Sequence, residues 1–197
     1  MRFVARNYYG APDRRAVRLL DLGSGPGASS WFMAREGFAV SAIDGSPTAV
    51  ARLRDRLASE RLEVDARVGD IGELPWADGT FDAVIDNAVV YCNPFDACRR
   101  IVAEVDRVLK PGGRFLSANF TDRTWGYGRG RRVEPGGFDD ITEGPLAGKG
   151  FSLLFGRAQI DELYAGFAER QIERLAWTLE SETQLVELWV VTCQKPA

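Results

Sequence analysis

The architecture of this chain is clearest in the stretch LLDLGSGPGASS, residues 19–30. An apolar run ends there in three glycines at alternate positions, Gly23, Gly25 and Gly27, with Asp21 just ahead of them. Continuous apolar character is typical of a buried parallel strand, and glycine permits both a tight turn and the close approach of a ligand. The stretch therefore predicts a strand, a ligand-binding turn and a helix whose N-terminal amides face the ligand.

Composition limits the classes of function. A chain of 197 residues is predicted to form a single domain, 1–197, and its net charge of −3 predicts no nucleic-acid partner. No apolar run reaches the ~20 residues of a membrane span. The chain has no histidine, which excludes Ser–His and Cys–His nucleophiles and removes the commonest zinc ligand, so no metal site is predicted. Three cysteines without a Cys-x-x-Cys pair favour a reducing, cytoplasmic location.

Strands and helices alternate outward from the glycine turn. This alternation predicts an α/β fold with a largely parallel sheet. The predicted strands are 16–23, 38–44, 62–70, 79–90 and 114–120, and the predicted helices are 29–36, 47–62 and 94–110.

The last third of the chain has a different character. Residues 121–150 are rich in glycine and arginine without a clear period, which predicts a substrate-facing loop or lid. A predicted helix at 157–167 is followed by predicted strands at 170–180 and 184–194. A link as short as that between these two strands requires an antiparallel hairpin, because parallel neighbours need a long crossover.

Two ligands compete for the glycine turn. Gly23, Gly25 and Ala28 satisfy the Gly-x-Gly-x-x-Ala form of the dinucleotide pattern. The carboxylate of Asp21 would repel a pyrophosphate at that place but would suit the ammonium group of an amino-acid moiety. The Tyr-x-x-x-Lys pair of short-chain dehydrogenases is also missing.

Four segments resemble one family in their order and spacing. They are DLGSGPG, AIDGSP, GDIGELPWADGTFD and VDRVLKPGGRF, and over residues 17–120 the chain resembles the class I S-adenosylmethionine-dependent methyltransferases. The LPWADGTFD stretch is most similar to the small-molecule branch that includes ubiquinone and menaquinone C-methyltransferases. The resemblance implies a Rossmann-like, seven-stranded, mostly parallel sheet with an antiparallel terminal hairpin and helices on both faces.

The resemblance also implies roles for individual residues. The turn would pass under the methionine part of S-adenosylmethionine, Asp21 would hold its amino group, and Asp44 would accept from both ribose hydroxyls. Asp44 would serve an NAD ribose equally well, or cap a helix, and Asp70 would accept from the adenine amino group or form a turn with its own backbone. The cofactor-binding residues implied in this way are Asp21, Gly23, Ser24, Gly25, Gly27, Asp44, Gly45, Asp70, Ile71 and Asn87.

The chemistry implied by the resemblance is simple. A sulfonium is already a good leaving group, so in-line displacement needs mainly proximity, alignment and exclusion of water. A base is needed only where the acceptor must lose a proton. Many relatives carry histidine where this chain has VVYC, so no histidine base is expected here. Tyr91 is the candidate catalytic residue, as a weak base or to orient the acceptor, with a buried structural tyrosine as the alternative.

The predicted lid supplies candidate substrate contacts. Arg123, Arg129 and Arg131 would clamp a carboxylate or phosphate on the acceptor. The alternative is a solvated loop in which nearby acidic residues balance these arginines. Tyr8 and Tyr9, near the N-terminus, are further candidates for closing the cofactor pocket.

These observations favour methyl transfer from S-adenosylmethionine to a small-molecule acceptor, which is anionic if the arginines bind it. Two alternatives are a non-catalytic S-adenosylmethionine-binding module and, less favoured, a dinucleotide-dependent oxidoreductase. The sequence leaves open the acceptor atom and the oligomeric state.

Overall fold

The computed structural model describes residues 1–197, and its centre is a seven-stranded sheet. In chain order the strands are β1 (Arg18–Leu22), β2 (Ala39–Asp44), β3 (Asp65–Val68), β4 (Phe81–Asn87), β5 (Leu109–Phe120), β6 (Arg131–Glu134), β7 (Gly137–Asp139), β8 (Ser152–Leu153), β9 (Ala168–Leu179) and β10 (Gln184–Gln194). The order across the main sheet is β3-β2-β1-β4-β5-β10-β9. Strands β1 to β5 pair in parallel, whereas β10 is antiparallel to both β5 and β9. The predicted mostly parallel sheet with an antiparallel terminal hairpin is therefore confirmed.

Helices cover both faces of the sheet, as predicted. They are α1 (Arg2–Tyr8), α2 (Ala28–Arg35), α3 (Pro47–Ser59), α4 (Phe95–Val108) and α5 (Arg157–Leu163). Along β1, Leu19 packs with Met33 of α2 on one face, and Leu20 belongs with α4 and α5 to the large cluster on the other. Neighbouring strand residues point to opposite faces, so the continuous apolar run of β1 is explained by burial on both sides.

The order of the strands reverses between β1 and β4. From β1 the chain passes outward through β2 to β3, then returns to place β4 on the other side of β1. In open α/β sheets, ligands bind in the crevice at the carboxyl ends of the strands at such a point. The glycine turn lies at this crevice because it directly follows β1.

The structure differs from the sequence prediction at two places. Residues 131–153, within and just beyond the predicted lid, contain a small sheet in the order β6-β7-β8. Pro135 and Gly136 make the hairpin turn between β6 and β7, with Gly136 at φ +79°. Helix α3 ends at Ser59 instead of residue 62, because Arg61 adopts a left-handed conformation (φ +56°) that no α-helix can continue.

No helix of the structure combines the length and the apolar character that crossing a bilayer requires.

Candidate functional site

The turn after β1 places its glycines in left-handed backbone. Gly23, Gly25 and Gly27 have φ values of +63°, +52° and +83°. A Cβ at Gly23 would lie 2.3 Å from Cγ2 of Val89, so the loop after β4 packs directly on this glycine. A Cβ at Gly25 would meet nothing within 4 Å. Gly23 thus serves packing, whereas Gly25 leaves open space above the turn for a ligand.

Asp21 is buried beneath this turn. One of its carboxylate oxygens accepts a hydrogen bond from Oγ of Ser30, in the first turn of α2, at 2.5 Å. Desolvation, the largest cause, and the nearby carboxylates of Asp44 and Asp86 raise the pKa of Asp21 from 3.8 to about 6, against the lowering effect of Ser30. An ammonium or sulfonium group near this carboxylate would relieve both effects.

Asp44 joins the turn to the end of β2. Its Oδ2 accepts from the amide of Gly25 and its Oδ1 from the amide of Ser46, each at 2.8 Å. Ser46 caps α3 by accepting from the amide of Ala49 at 3.2 Å, so the capping role belongs to Ser46. Each oxygen of Asp44 has a further lone pair, which leaves the carboxylate able to accept from two ligand hydroxyls.

Asp70 and Ile71 follow the neighbouring strand, β3. The amide of Gly69 donates to the carbonyl of Asp44 at 3.1 Å, which brings the ends of β2 and β3 together. Oδ1 of Asp70 accepts from the amide of Gly72 at 2.7 Å. Asp70 therefore forms the turn with its own backbone that the sequence offered as its alternative role. The Asp70 side chain is otherwise exposed, so its second oxygen remains available to a ligand.

A buried polar network lies at the carboxyl end of β4. Asp86 accepts from the amides of Val89 and Val90 and from Oγ of Ser117. The hydroxyl of Tyr164 donates to the same Ser117 oxygen at 2.7 Å. Burial raises the pKa of Asp86 to about 6. The structural role open to Asp86 from the sequence, as an acid at a strand end, fits these bonds, whereas no pattern predicted the contacts of Ser117 and Tyr164.

Asn87 is the last residue of β4, and its side chain is exposed. Together with the glycine turn, Asp44 and Asp70 it lines the carboxyl ends of four neighbouring strands, which we call the strand-end site. The structure therefore brings together the cofactor-binding residues that the resemblance implied.

Tyr91 does not have the environment of a general base. Its ring is buried and packs edge-on against Phe120, with the ring centroids 4.9 Å apart. Burial raises the pKa of Tyr91 well above its ordinary value of 10.0. The phenol therefore stays protonated at neutral pH, and the structure favours the buried structural role.

The three lid arginines are already paired with carboxylates. Arg129 lies 3.8 Å from Glu143, Arg131 contacts Asp139, and Arg123 lies 3.7 Å from Glu187. These pairs match the alternative of a loop whose charges are balanced internally. An anionic acceptor would have to compete with these carboxylates.

The two N-terminal tyrosines lie away from the strand-end site. The hydroxyl of Tyr8 donates to the carbonyl of Asp82, near the amino end of β4, at 2.9 Å. Tyr9 stacks on Phe38, which precedes β2. The expectation that they close the cofactor pocket is wrong, because the C-terminal end of α1, where both tyrosines lie, packs near the amino ends of β2 and β4.

A cavity of ≈ 640 Å³ lies between α1 and the adjacent face of β5, β10 and β9. Leu116, Ala118 and Val190 contribute apolar surface to it. Asn87 is the only member of the strand-end site among its lining residues. The cavity therefore adjoins the strand-end site at the end of β4 and does not coincide with it.

The chemistry of the strand-end site suits S-adenosylmethionine. The carboxylates of Asp21 and Asp44 place a negative field at the ends of β1 and β2, and repulsion from Asp44 and from the buried Asp86 contributes to the raised pKa of Asp21. Such a field attracts a ligand with ammonium and sulfonium charges and repels the pyrophosphate of a dinucleotide. The open space at Gly25 and the free acceptor capacity of Asp44 fit the same ligand.

Comparison with known proteins likewise finds methyltransferases. Residues 19–113 match the family described as "Methyltransferase domain". The arsenite methyltransferase of Halobacterium salinarum is 38% identical over 101 residues, which are 49% of this chain and 25% of that protein. The demethylmenaquinone methyltransferase of Tropheryma whipplei is 36% identical over 104 residues, which are 52% of this chain and 41% of that protein. The chain thus spans less than half the length of these curated relatives.

A solved structure extends the likeness to the fold. The S-adenosylmethionine-dependent methyltransferase from Methanosarcina mazei superposes with a TM-score of 0.75 at 24% identity, over 91% of this chain and 92% of that one. The resemblance that the four segments indicated is confirmed for the domain and for the fold.

Proposed function

We propose that this chain, as a relative of the class I S-adenosylmethionine-dependent methyltransferases, transfers a methyl group from S-adenosylmethionine to a small molecule. The premise is the match of residues 19–113 to the methyltransferase domain. The observation that carries the proposal is the placement of the Asp21 and Asp44 carboxylates beside an open glycine turn, with Asp44 accepting from the amide of Gly25. When bound, the cofactor supplies an electrophilic methyl group on a sulfonium. The chain's own residues then have to bind and orient the cofactor and the acceptor, and to exclude water from them.

Each end of the cofactor has a proposed partner. Asp21 attracts the ammonium group, the two oxygens of Asp44 accept from the ribose hydroxyls, and the free oxygen of Asp70 accepts from the adenine amino group. Ile71, which is buried beside Asp70, contributes an apolar surface for the adenine ring. Charge-assisted hydrogen bonds of this kind are the stronger ones in proteins.

Orientation at the reacting end depends on the loop after β4. Asp86 holds the amides of Val89 and Val90, and Val89 packs against Gly23. This contact fixes the loop over the turn beneath the methionine part of the cofactor. Asn87, at the exposed end of β4, is the proposed contact beside the sulfonium.

Neither Tyr91 nor Asp86 is placed to act as a free base. The chain lacks histidine, Tyr91 stays protonated, and Asp86 is engaged by its buried hydrogen bonds. We therefore expect an acceptor whose attacking atom carries an available lone pair at neutral pH. Alignment and water exclusion then provide the catalysis.

The cavity that adjoins Asn87 is the proposed location of the acceptor. Its volume of ≈ 640 Å³ falls in the range of small-molecule sites. Binding of an anionic acceptor by Arg129 and Arg131 is disfavoured, because both are paired with carboxylates. The net charge of −3 and the three free cysteines support a cytoplasmic setting without a nucleic-acid partner.

The test is formation of S-adenosylhomocysteine. The protein is incubated with S-adenosylmethionine and pools of small thiols, amines, phenols and carboxylates, and the product is measured by mass spectrometry. We expect acceptor-dependent turnover that the Asp44→Asn variant reduces and the Asp55→Asn variant, altered at an exposed acid on α3, retains. Tight cofactor binding with no turnover in any pool would instead favour the non-catalytic binding module.

A further inference from the structure

The cavity that adjoins Asn87 has an apolar floor. Leu116 and Ala118 of β5 and Leu188 and Val190 of β10 line it from the same face of the sheet. Val190 lies opposite Ala118, and Ala118 lies beside Asn87 at the carboxyl end of β4. The floor therefore extends to the strand-end site and suits the apolar body of a small molecule.

One wall of the cavity is basic. Arg2 and Arg6 of α1 both line it, and because they are four residues apart they share one face of the helix. Both are exposed, and neither forms an ion pair or a side-chain hydrogen bond within the chain. Val4, on the buried side of α1, packs with Ala83 and Ile85 of β4. This packing holds the two guanidinium groups beside the cavity.

The far wall, at the β9 side of the sheet, carries the acidic groups. Glu169 and Glu173 line the cavity there, and Glu169 lies 3.9 Å from Arg114 of β5. Arg174 also borders the cavity, but its guanidinium group lies 3.8 Å from the carboxylate of Glu187. The charged lining residues that have no ion-pair partner are Arg2, Arg6 and Glu173.

These charges favour an anion and determine its orientation. Two unpaired cations and one unpaired anion leave the cavity with an excess of positive charge, although the whole chain carries −3. A carboxylate on a ligand is attracted to α1 and repelled from β9 by Glu173. Guanidinium groups bind carboxylates through charge-assisted hydrogen bonds.

We propose that the cavity binds a small molecule with an apolar body and a carboxylate, and that Arg2 and Arg6 bind the carboxylate while the body lies on the floor of β5 and β10. The inference rests on the proposed function for the identity of this ligand as the methyl acceptor. The reacting atom of such an acceptor lies at the Asn87 end of the cavity. Unlike the lid arginines, Arg2 and Arg6 need not give up a carboxylate of the chain to bind it.

The first test compares two probes that share one ring system, naphthoate, which carries a carboxylate, and naphthamide, which is neutral. Each is titrated into the isotope-labelled protein, and its affinity is measured from the amide resonances of Ala118 and Val190. We expect naphthoate to bind about tenfold more tightly, the effect of a charge-assisted hydrogen bond, and to lose this advantage as salt screens the arginines. Equal affinities of the two probes, or no change at either resonance, would overturn the proposal.

The second test assigns the carboxylate contact to α1. The double variant Arg2→Gln with Arg6→Gln should bind naphthoate only as tightly as naphthamide and should bind naphthamide as the wild type does. Arg52→Gln with Arg56→Gln is the matched control, because these exposed arginines are also four residues apart, on α3, and lie outside the cavity. Wild-type naphthoate affinity in the α1 variant contradicts the assignment.

Calorimetry with S-adenosylhomocysteine separates this inference from the proposed function, since the probe titrations require no methyl transfer. The α1 double variant should bind S-adenosylhomocysteine as the wild type does. Selective naphthoate binding by a protein that does not bind S-adenosylhomocysteine would support the carboxylate site and contradict the proposed function. Binding of S-adenosylhomocysteine with equal affinities for the two probes would contradict the carboxylate site alone.

Discussion

At the scale of single residues, the strand-end site is a set of carboxylates held by backbone amides. Asp44 receives its two amide hydrogen bonds from Gly25 and Ser46, both at 2.8 Å, so its orientation is fixed before a ligand arrives. Asp21 is buried and bonded to Ser30. Preorganised acceptors of this kind lose little conformational freedom when a ligand binds, so less of the attraction of their charge is offset by an ordering cost.

The burial of Asp21 makes cofactor affinity depend on pH. Its pKa in the free protein is about 6, and a cationic ligand favours the charged carboxylate. As the pH falls through 6, the carboxylate protonates and its attraction for the ligand's ammonium is lost. Titration calorimetry with S-adenosylmethionine should therefore give weaker binding at pH 5 than at pH 7. The Asp21→Asn variant should bind more weakly at pH 7 and lose this pH dependence; an unchanged pH dependence would exclude Asp21 as its source.

Asp44 provides a second residue-scale prediction. Asp44→Asn removes the charge but keeps one acceptor oxygen, and hydrogen bonds to charged groups contribute about 1.5–3 kcal/mol. Cofactor affinity should fall by about tenfold or more. Asp55→Asn, at an exposed acid on α3, should leave the affinity at the wild-type value. Equal affinities for the two variants would show that Asp44 makes no contact with the cofactor.

At the scale of elements, the site depends on the contact between two loops. Val89, in the loop after β4, occupies the space where Gly23 would carry a Cβ. This contact ties the glycine turn to the loop that Asp86 holds from below. A change on either side is therefore expected to move both loops.

The contact is tested by Gly23→Ala. Gly148→Ala is the matched control, because Gly148 also has a positive φ, +69°, but has nothing within 4 Å of its Cβ position. Both variants incur ~1–2 kcal/mol for left-handed backbone, and Gly23→Ala incurs a further ~1–3 kcal/mol for overpacking against Val89. Urea unfolding should show the larger loss for Gly23→Ala, and adding Val89→Ala should recover part of it. Equal losses for the two glycines would mean that the loops do not pack as described.

Asp86 supplies a prediction for stability against pH. Its pKa rises from 3.8 to about 6 on folding, so the folded protein holds this proton more tightly than the unfolded chain. Its contribution to the free energy of unfolding therefore falls as the pH rises from about 4 to about 6, by up to about 3 kcal/mol. Asp86→Asn should lack this component. The free energy of unfolding of the wild type minus that of the variant should therefore fall through that window and then stay level. A difference that is constant from pH 4 to pH 7 would contradict the raised pKa.

Much of this level of structure was predictable from local patterns. Continuous apolar runs identified the buried strands, Ser46 with Pro47 identified the start of α3, and the short link before Gln184 identified the antiparallel hairpin. Helix α1 was not predicted because its seven residues are too few to show a helical period. The three-stranded sheet in residues 131–153 was missed for the same reason, although Pro135 and Gly136 carry the signal of a turn.

At the scale of the whole molecule, topology explains why distant residues meet. Asp21, Asp44 and Asn87 are far apart in sequence, but each is the last or the penultimate residue of a parallel strand, and those strand ends lie side by side. The sequence therefore sufficed to predict which residues share the strand-end site. It left open whether acidic residues balance Arg129 and whether Tyr91 is buried, because both depend on side-chain packing between segments that carry no common pattern.

The most direct measurement is calorimetric titration of the purified protein with S-adenosylhomocysteine and, separately, with NAD. The carboxylates around the glycine turn predict saturable one-to-one binding of the nucleoside and no heat from the dinucleotide, with Asp44→Asn weakening the former. Binding of NAD in preference to S-adenosylhomocysteine would mean that these strand ends hold a pyrophosphate after all, and methyl transfer would have to be abandoned.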